Sequence, residues 1–315
     1  MISVIITSYN NETTIRRAIK SVLSQTYNNC EVIVVDDSST DKTKDICLEY
    51  SNKIKLISTD KNRGKPYFTR NIGIKNAKGE FITFIDADDY LDKNAILNCM
   101  NTQKSTNADI IQMKIKRRIT RFGLPINFQS KYNTSKAIDA CLYNERLFPI
   151  QCWGKLYRTD LIRSITPISY NGFWGEDRIF NLPLFSSNPK IRYEATAKYN
   201  YSWGGATSSK FDLNALQEYK QIYQLKRDWA ILNGYEKCLP KMQTELIELL
   251  KYHIRHLINS NTMAQNESKQ YLCKELNLSF WEPFKIQSVV DLYDIEKRSF
   301  CRILKKNIAN LINNL

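Results

Sequence analysis

Within the first hundred residues, short continuous apolar runs alternate with amphipathic segments, and few folds accommodate that rhythm. Ser3–Thr7 (SVIIT), Glu31–Val35 (EVIVV), Ile54–Ile57 and Glu80–Ile85 (EFITFI) read as strands. Between them, Thr13–Gln25 carries Ile15, Ala18, Ile19, Val22 and Leu23 at helical spacing, Asp41 is placed to cap a helix running to Tyr50, and Tyr67–Ala77 reads as a third helix. Strands that are apolar on both faces must be covered on both faces, which requires βαβ units and a parallel sheet. The expectation is an α/β fold: a doubly wound, mostly parallel sheet with helices on both sides. Such sheets bind ligands beyond the carboxyl ends of their strands, so the residues that follow each strand carry the functional interest.

The rhythm weakens after Tyr90. Asp109–Ile119 and Ile191–Trp203 have strand character and Ser135–Tyr143 reads as a helix. From Asn214 the chain turns helical, with one stripe at Leu216, Tyr219, Ile222, Tyr223 and Leu225 and a second at Leu246, Leu249, Leu250, Ile254 and Leu257. We therefore expect a domain over residues 1–210 and a C-terminal helical region over 211–315. The final stretch sets Phe300, Ile303, Leu304, Ile308 and Leu311 against Lys297, Arg298, Arg302, Lys305 and Lys306. A basic amphipathic helix of this kind either lies on an anionic membrane surface or packs its stripe on a core.

Composition narrows the class. Of 315 residues, 43% are hydrophobic and 25% charged, which excludes a disordered or fibrous chain. No apolar run reaches the roughly 18 residues of a spanning helix, and no signal-peptide pattern opens the chain, so the expected location is the cytoplasm. Eight scattered cysteines without a CxxC pair read as reduced thiols. The net charge of +14 is uneven: +1 over residues 1–100, +10 over 101–210 and +3 over 211–315. A basic middle third implies an acidic partner or a solvated basic surface. The only histidines, His253 and His256, fall in a helical stretch and read as solvated, which argues against a Ser-His-Asp hydrolase.

Acidic residues gather where strands end. Asp36 and Asp37 close the second strand; Asp86, Asp88 and Asp89 close the fourth. Three carboxylates in four residues repel one another, so the cluster either holds a hard cation such as Mg²⁺ or Mn²⁺ that bridges to phosphate, or forms a turn and helix cap. Asn62-Arg63-Gly64-Lys65 and Arg70-Asn71 offer donors for phosphate. There is no Walker sequence, GxGxxG or HExxH. Trp174-Gly175-Glu176-Asp177 pairs two carboxylates, which suits a general base and equally a helix cap at Asp177. Trp153, Trp174, Tyr199, Tyr201 and Trp203 suit stacking on a sugar ring or core packing.

Taken together, SVIITSYNNETTIRRAIKSVLSQTY, EVIVVDDSSTDKT, RGKPYFTRNIGIKNAKGEFITFIDADD, WGKLYR and WGED resemble, in order and spacing, the inverting family 2 glycosyltransferases of GT-A fold that build bacterial surface polysaccharides. The likeness covers about residues 1–210. It implies a nucleotide-binding half over 1–100, an acceptor half over 101–210, and a metal-dependent transfer, with Mn²⁺ or Mg²⁺, from a nucleotide-sugar such as a UDP-sugar to a hydroxyl. By the same resemblance Thr7, Tyr9, Asp37, Arg70, Asn71 and Asp86 meet the nucleotide, Asp86 and Asp88 the metal, and Asp89, Ser208 and Lys210 the donor sugar or diphosphate. Asp177 is the implied base, with Glu176 orienting it, and Trp153 and Trp174 face the acceptor.

The chain departs from the family at Thr7-Ser8-Tyr9, which many relatives precede with proline, and at Tyr201–Lys210, which lacks the usual Arg and His. The QxxRW signature of processive synthases is absent. The expected acceptor is an anionic or lipid-linked glycan, with peripheral membrane contact open and no nucleic acid; a basic nucleic-acid-binding protein is the weaker alternative, since a recognition motif is absent and the acidic clusters would repel phosphates without metal. A glycan-binding protein on a retired transferase fold is the alternative; intact Asp86, Asp88 and Asp177 argue against it.

Overall fold

The computed structural model describes residues 1–118, 134–143, 148–165, 170, 172, 175–202, 215–259 and 280, and the chain divides into two compact units, Met1–Lys210 and Phe211–Leu315. In the first unit β1 (Ile2–Ser8), α1 (Ile15–Leu23), β2 (Cys30–Asp36), α2 (Thr43–Leu48), β3 (Lys55–Ser58), α3 (Pro66–Asn76) and β4 (Phe81–Asp86) follow one another as the apolar rhythm predicts. Then come β5 (Tyr90–Leu91), α4 (Ala95–Thr106), β6 (Ile110–Arg118), α5 (Thr134–Leu142), β7 (Lys155–Arg158), α6 (Thr159–Ser164), α7 (Glu176–Ser186) and β8 (Ile191–Ser202).

The eight strands form one sheet in the order β3-β2-β1-β4-β7-β6-β8-β5. The first four are parallel, with Ser8 opposite Asp36 and Thr7 opposite both Val35 and Asp86. The carboxyl ends of β1, β2 and β4 therefore lie side by side, and their terminal residues converge on one edge. Beyond β4 the sheet is mixed: β7 runs antiparallel to β4 and β6, while β6 and β8 are parallel to each other. The weaker rhythm after Tyr90 has this cause, because antiparallel strands joined by long excursions lack the regular helix between strands.

Val4, Ile5, Ile6, Val34, Val35, Phe84 and Ile85 form the centre of the core, each worth about 1.5–3 kcal/mol on burial. Gly73 lets α3 approach β1, since a Cβ there would overlap Cγ2 of Ile5. That close approach sets the depth of Arg70, one turn earlier on the same helix.

In the second unit α8 (Ala215–Leu232) and α9 (Leu239–Asn259) pack on each other, joined by a 3₁₀ turn at Glu236–Cys238. Lys226 and Glu245 form a 2.7 Å ion pair at that contact. His253 is buried at 1% exposure, contrary to the expectation of a solvated pair, because it lies on the apolar stripe with Met242, Leu246 and Leu250. The basic stretch 297–311 lies outside the described residues. No described helix is long and apolar enough to cross a membrane.

Candidate active site

One buried guanidinium organises the edge. Arg70, 3% exposed, sends Nη1 to Glu176 Oε1 at 2.6 Å and Nη2 to Asp86 Oδ1 at 3.3 Å, and its Nη1 stands 3.6 Å from Asp177 Oδ1. Thr7 Oγ1 lies 3.4 Å from the same Asp86 oxygen. Strands β1 and β4 and helices α3 and α7 thus meet at a single cation. The three surrounding carboxylates hold the Arg70 proton more firmly than usual, against the penalty of burial.

The two carboxylates at the start of α7 follow Gly175, whose φ of 73° is accessible to glycine at little cost. They occupy the first helical turn, where the amide dipoles favour negative charge. The alternative of Asp177 as a helix cap does not hold, since the cap is Gly175. Glu176 Oε2 accepts the Tyr67 N–H at 2.8 Å, and Asp177 Oδ1 accepts the Cys152 N–H at 2.8 Å. Burial, reinforced by Asp177, lifts the Glu176 carboxyl to about 7 even with Arg70 opposing.

At the end of β4 burial dominates. It raises the Asp86 carboxyl, and with Asp86 close by it lifts Asp88 to about 6. Asp89, fully buried, is pushed up to about 8 by burial and by both neighbouring carboxylates. Its partners are Tyr199 Oη at 2.6 Å and Ser202 N at 2.7 Å, and Tyr199 Oη also accepts the Asp86 N–H at 3.2 Å. Asp89 therefore ties β8 to the β4–β5 turn. Asp89, expected to meet the donor sugar, is 0% exposed and is engaged in this tie.

The expected pairing of Arg70 with Asn71 also separates, because consecutive helical residues face different directions. Asn71 lines a cleft of about 210 Å³ with Tyr67, Ile74, Ile162 and Phe180. Trp153 stacks on Tyr199 at 4.7 Å and on Tyr201 at 5.2 Å, and at 8% exposure it is packing rather than an open acceptor platform. Asp37, at the end of β2, spends its oxygens on the 59–64 loop: Thr59 Oγ1 at 3.1 Å, Arg63 N at 3.0 Å and Gly64 N at 2.9 Å. Tyr9 is 41% exposed at the tip after β1. Trp174, Ser208 and Lys210 lie outside the described residues.

Four participants escaped the reading of residue types. Tyr199 registers in sequence only as one aromatic among several. Lys155 and Tyr157 sit inside WGKLYR, where their alternation places both on one face of β7. Arg17 reaches from α1 to the carbonyl of Asp88 and to Ser202 Oγ, a contact that sequence spacing does not announce.

The donor set at Asp86 and Asp88 suits a hard divalent cation, since it offers oxygen alone and two mutually repelling carboxylates. Among the described residues no three His, Cys, Asp or Glu converge on a metal position. A cation held here would complete its shell with water and substrate oxygens, as Mg²⁺ and Mn²⁺ commonly do.

Comparison with known proteins agrees with this architecture. Residues 3–165 match the model for glycosyl transferase family 2, and the chain belongs to that family. It is 30% identical over 207 residues to the poly(ribitol-phosphate) beta-N-acetylglucosaminyltransferase TarS of Staphylococcus aureus, covering 64% of this chain and 35% of that protein. It is 33% identical over 208 residues to a poly(ribitol-phosphate) beta-glucosyltransferase of Bacillus spizizenii, covering 64% of this chain and 32% of that one. The chain thus spans about a third of the length of these curated relatives. The crystal structure of S. aureus TarS residues 1–349 with UDP-GlcNAc superposes with a TM-score of 0.61 at 25% identity, covering 86% of this chain and 78% of that one.

Proposed function

We propose that the chain is a metal-dependent inverting glycosyltransferase that moves a sugar from a UDP-sugar to a hydroxyl of an anionic cell-surface polymer. The observation that carries this reading is the single guanidinium of Arg70, which joins the carboxylate at the end of β4 to the pair at the start of α7. A nucleotide-sugar and an acceptor need two chemistries within reach of each other, a place for diphosphate charge and a base for a hydroxyl. The UDP-GlcNAc complex of TarS supports the donor class, with N-acetylglucosamine the first sugar to try. The poly(ribitol-phosphate) named for two relatives supports a phosphate-rich acceptor, as does the +10 charge of residues 101–210.

In this mechanism Asp177 takes the proton of the acceptor hydroxyl. The oxygen forms its bond to the anomeric carbon on the face opposite the diphosphate, and the bond to the diphosphate breaks with its electron pair leaving on that group. Asp86 and Asp88 would hold Mn²⁺ or Mg²⁺, which supplies charge stabilisation for the departing diphosphate. Glu176 and Arg70 hold the base side of the cleft, and Thr7, Tyr9 and Asp37 border the nucleotide.

Isothermal titration of UDP-, GDP- and CDP-sugars with Mn²⁺ and then with EDTA tests the reading. Metal-dependent binding of one UDP-sugar is the expected result. Binding by none of them, in protein shown to be folded, would overturn it.

A further inference from the structure

The segment that enters β7 is held in an unusual way. Its three consecutive carbonyls are each engaged by a different side chain. Asn181 Nδ2 donates to Ile150 O at 2.7 Å, Lys155 Nζ to Gln151 O at 2.5 Å, and Tyr157 Oη stands 3.0 Å from Cys152 O. All three side chains are fully buried. They also brace one another, since Tyr157 Oη lies 3.2 Å from Asn181 Oδ1 and Asn181 Nδ2 reaches the Asp177 carbonyl at 2.9 Å. The N–H of Cys152, the last residue of this strap, donates to Asp177 Oδ1.

We infer that Lys155, Tyr157 and Asn181 are positioning residues for Asp177, which fix the 150–152 strap so that its Cys152 N–H pins one carboxylate oxygen and leaves the other turned to the acceptor. This rests on the reading of Asp177 as the base. Arg70 stands 3.6 Å from Oδ1 and also pairs with Glu176, so without a counter-hold Asp177 would be drawn onto the guanidinium. The strap supplies that hold through the Cys152 N–H, 2.8 Å from Oδ1. The Asp177 side chain is 24% exposed, which leaves it a face for a hydroxyl.

The choice of lysine is informative. A neutral donor would satisfy Gln151 O at lower cost, yet Lys155 buries an ammonium at 0% exposure, 5.7 Å from the Phe148 ring. Burial lowers its proton affinity to about 8, and Asp177 is among the groups whose field opposes that loss. Its charge acts on the same carboxylate that the strap holds.

The test combines a structural and a kinetic reading of Lys155→Met and Tyr157→Phe. Hydrogen exchange in residues 148–156 should quicken by roughly tenfold in either variant, because the strap opens locally. Transfer from UDP-GlcNAc to poly(ribitol phosphate), with UDP release to water as a second assay, should show kcat lowered roughly 10- to 100-fold, as small misplacements of a base allow. The donor KM should not move, and the Asp177→Asn/Lys155→Met double variant should be no slower than Asp177→Asn alone, since residues acting as one unit are not additive. Unchanged exchange in both variants, or multiplicative losses in the double variant, would overturn the inference. Tyr157→Phe removes a single oxygen and keeps the question answerable if Lys155→Met does not fold. If Asp177→Asn retains full turnover, the base assignment fails by itself, and exchange still reports on the strap.

Discussion

The carboxylates at the end of β4 and those at the start of α7 solve the same electrostatic problem in opposite ways. At α7 the protein supplies its own compensation: Arg70, the Tyr67 and Cys152 amides and the buried charge of Lys155. At β4 the compensation is incomplete. Arg70 reaches only Asp86, while Asp88 and Asp89 are left to be lifted to about 6 and about 8 by burial and by their neighbours. The first cluster shares a cation supplied by the fold, whereas the second is where the proposed function calls for an external charge.

The largest expected effect is on chemistry. Asp177→Asn should lower kcat by about 10²- to 10⁴-fold, the range for loss of a general base, while UDP affinity measured by calorimetry stays as in the parent. Equal loss of nucleotide binding would erase the contrast between the clusters. Arg70→Met comes next, because it leaves buried carboxylates without their cation. We expect destabilisation of about 3–5 kcal/mol, read as a fall in the urea midpoint, with Glu176→Gln in the same background recovering part of it.

Asp88→Ala should weaken Mn²⁺-dependent UDP binding by about tenfold or more, about 1.4 kcal/mol, with little change in metal-free Tm. Retained metal dependence would mean that the cation is held without Asp88. The smallest effect is a slope. The folded-state Lys155 loses its proton near pH 8 rather than at the ordinary 10.5, so between those values the unfolded chain binds more protons. Parent stability should therefore rise across that window relative to Lys155→Met, and the parent's Tm minus the variant's should increase from pH 7 towards pH 10. Parallel Tm curves would show that Lys155 holds its proton in the fold as it does in the unfolded chain.

Much of the first unit is legible in its residues. The buried strands at Ser3–Thr7, Glu31–Val35 and Glu80–Ile85 fall where the structure has β1, β2 and β4, because continuous apolar runs have few other uses. The carboxylates Asp86 and Asp177 could be singled out because their neighbours are also acidic. The fate of Asp89 and Trp153 was not legible in the same way. Whether an aspartate or an indole faces a cleft or a core depends on which strand lies above it, and here that strand is β8, more than a hundred residues later for Asp89. Asn71 faces a different direction from Arg70 because adjacent helical residues are rotated by about 100°.

The amino-acid sequence by itself determined the parallel half of the sheet, the acidic ends of its strands and the membership of a transferase family, since these follow from local periodicity and short motifs. Tertiary structure alone decided which carboxylates share a cation. Arg70 meets Asp86 from 16 residues away and Glu176 from 106, and only the packing of α3 on β1 beside α7 brings both within reach of one guanidinium. Charges separated along the chain interact through space, and the distance through space is a property of the fold.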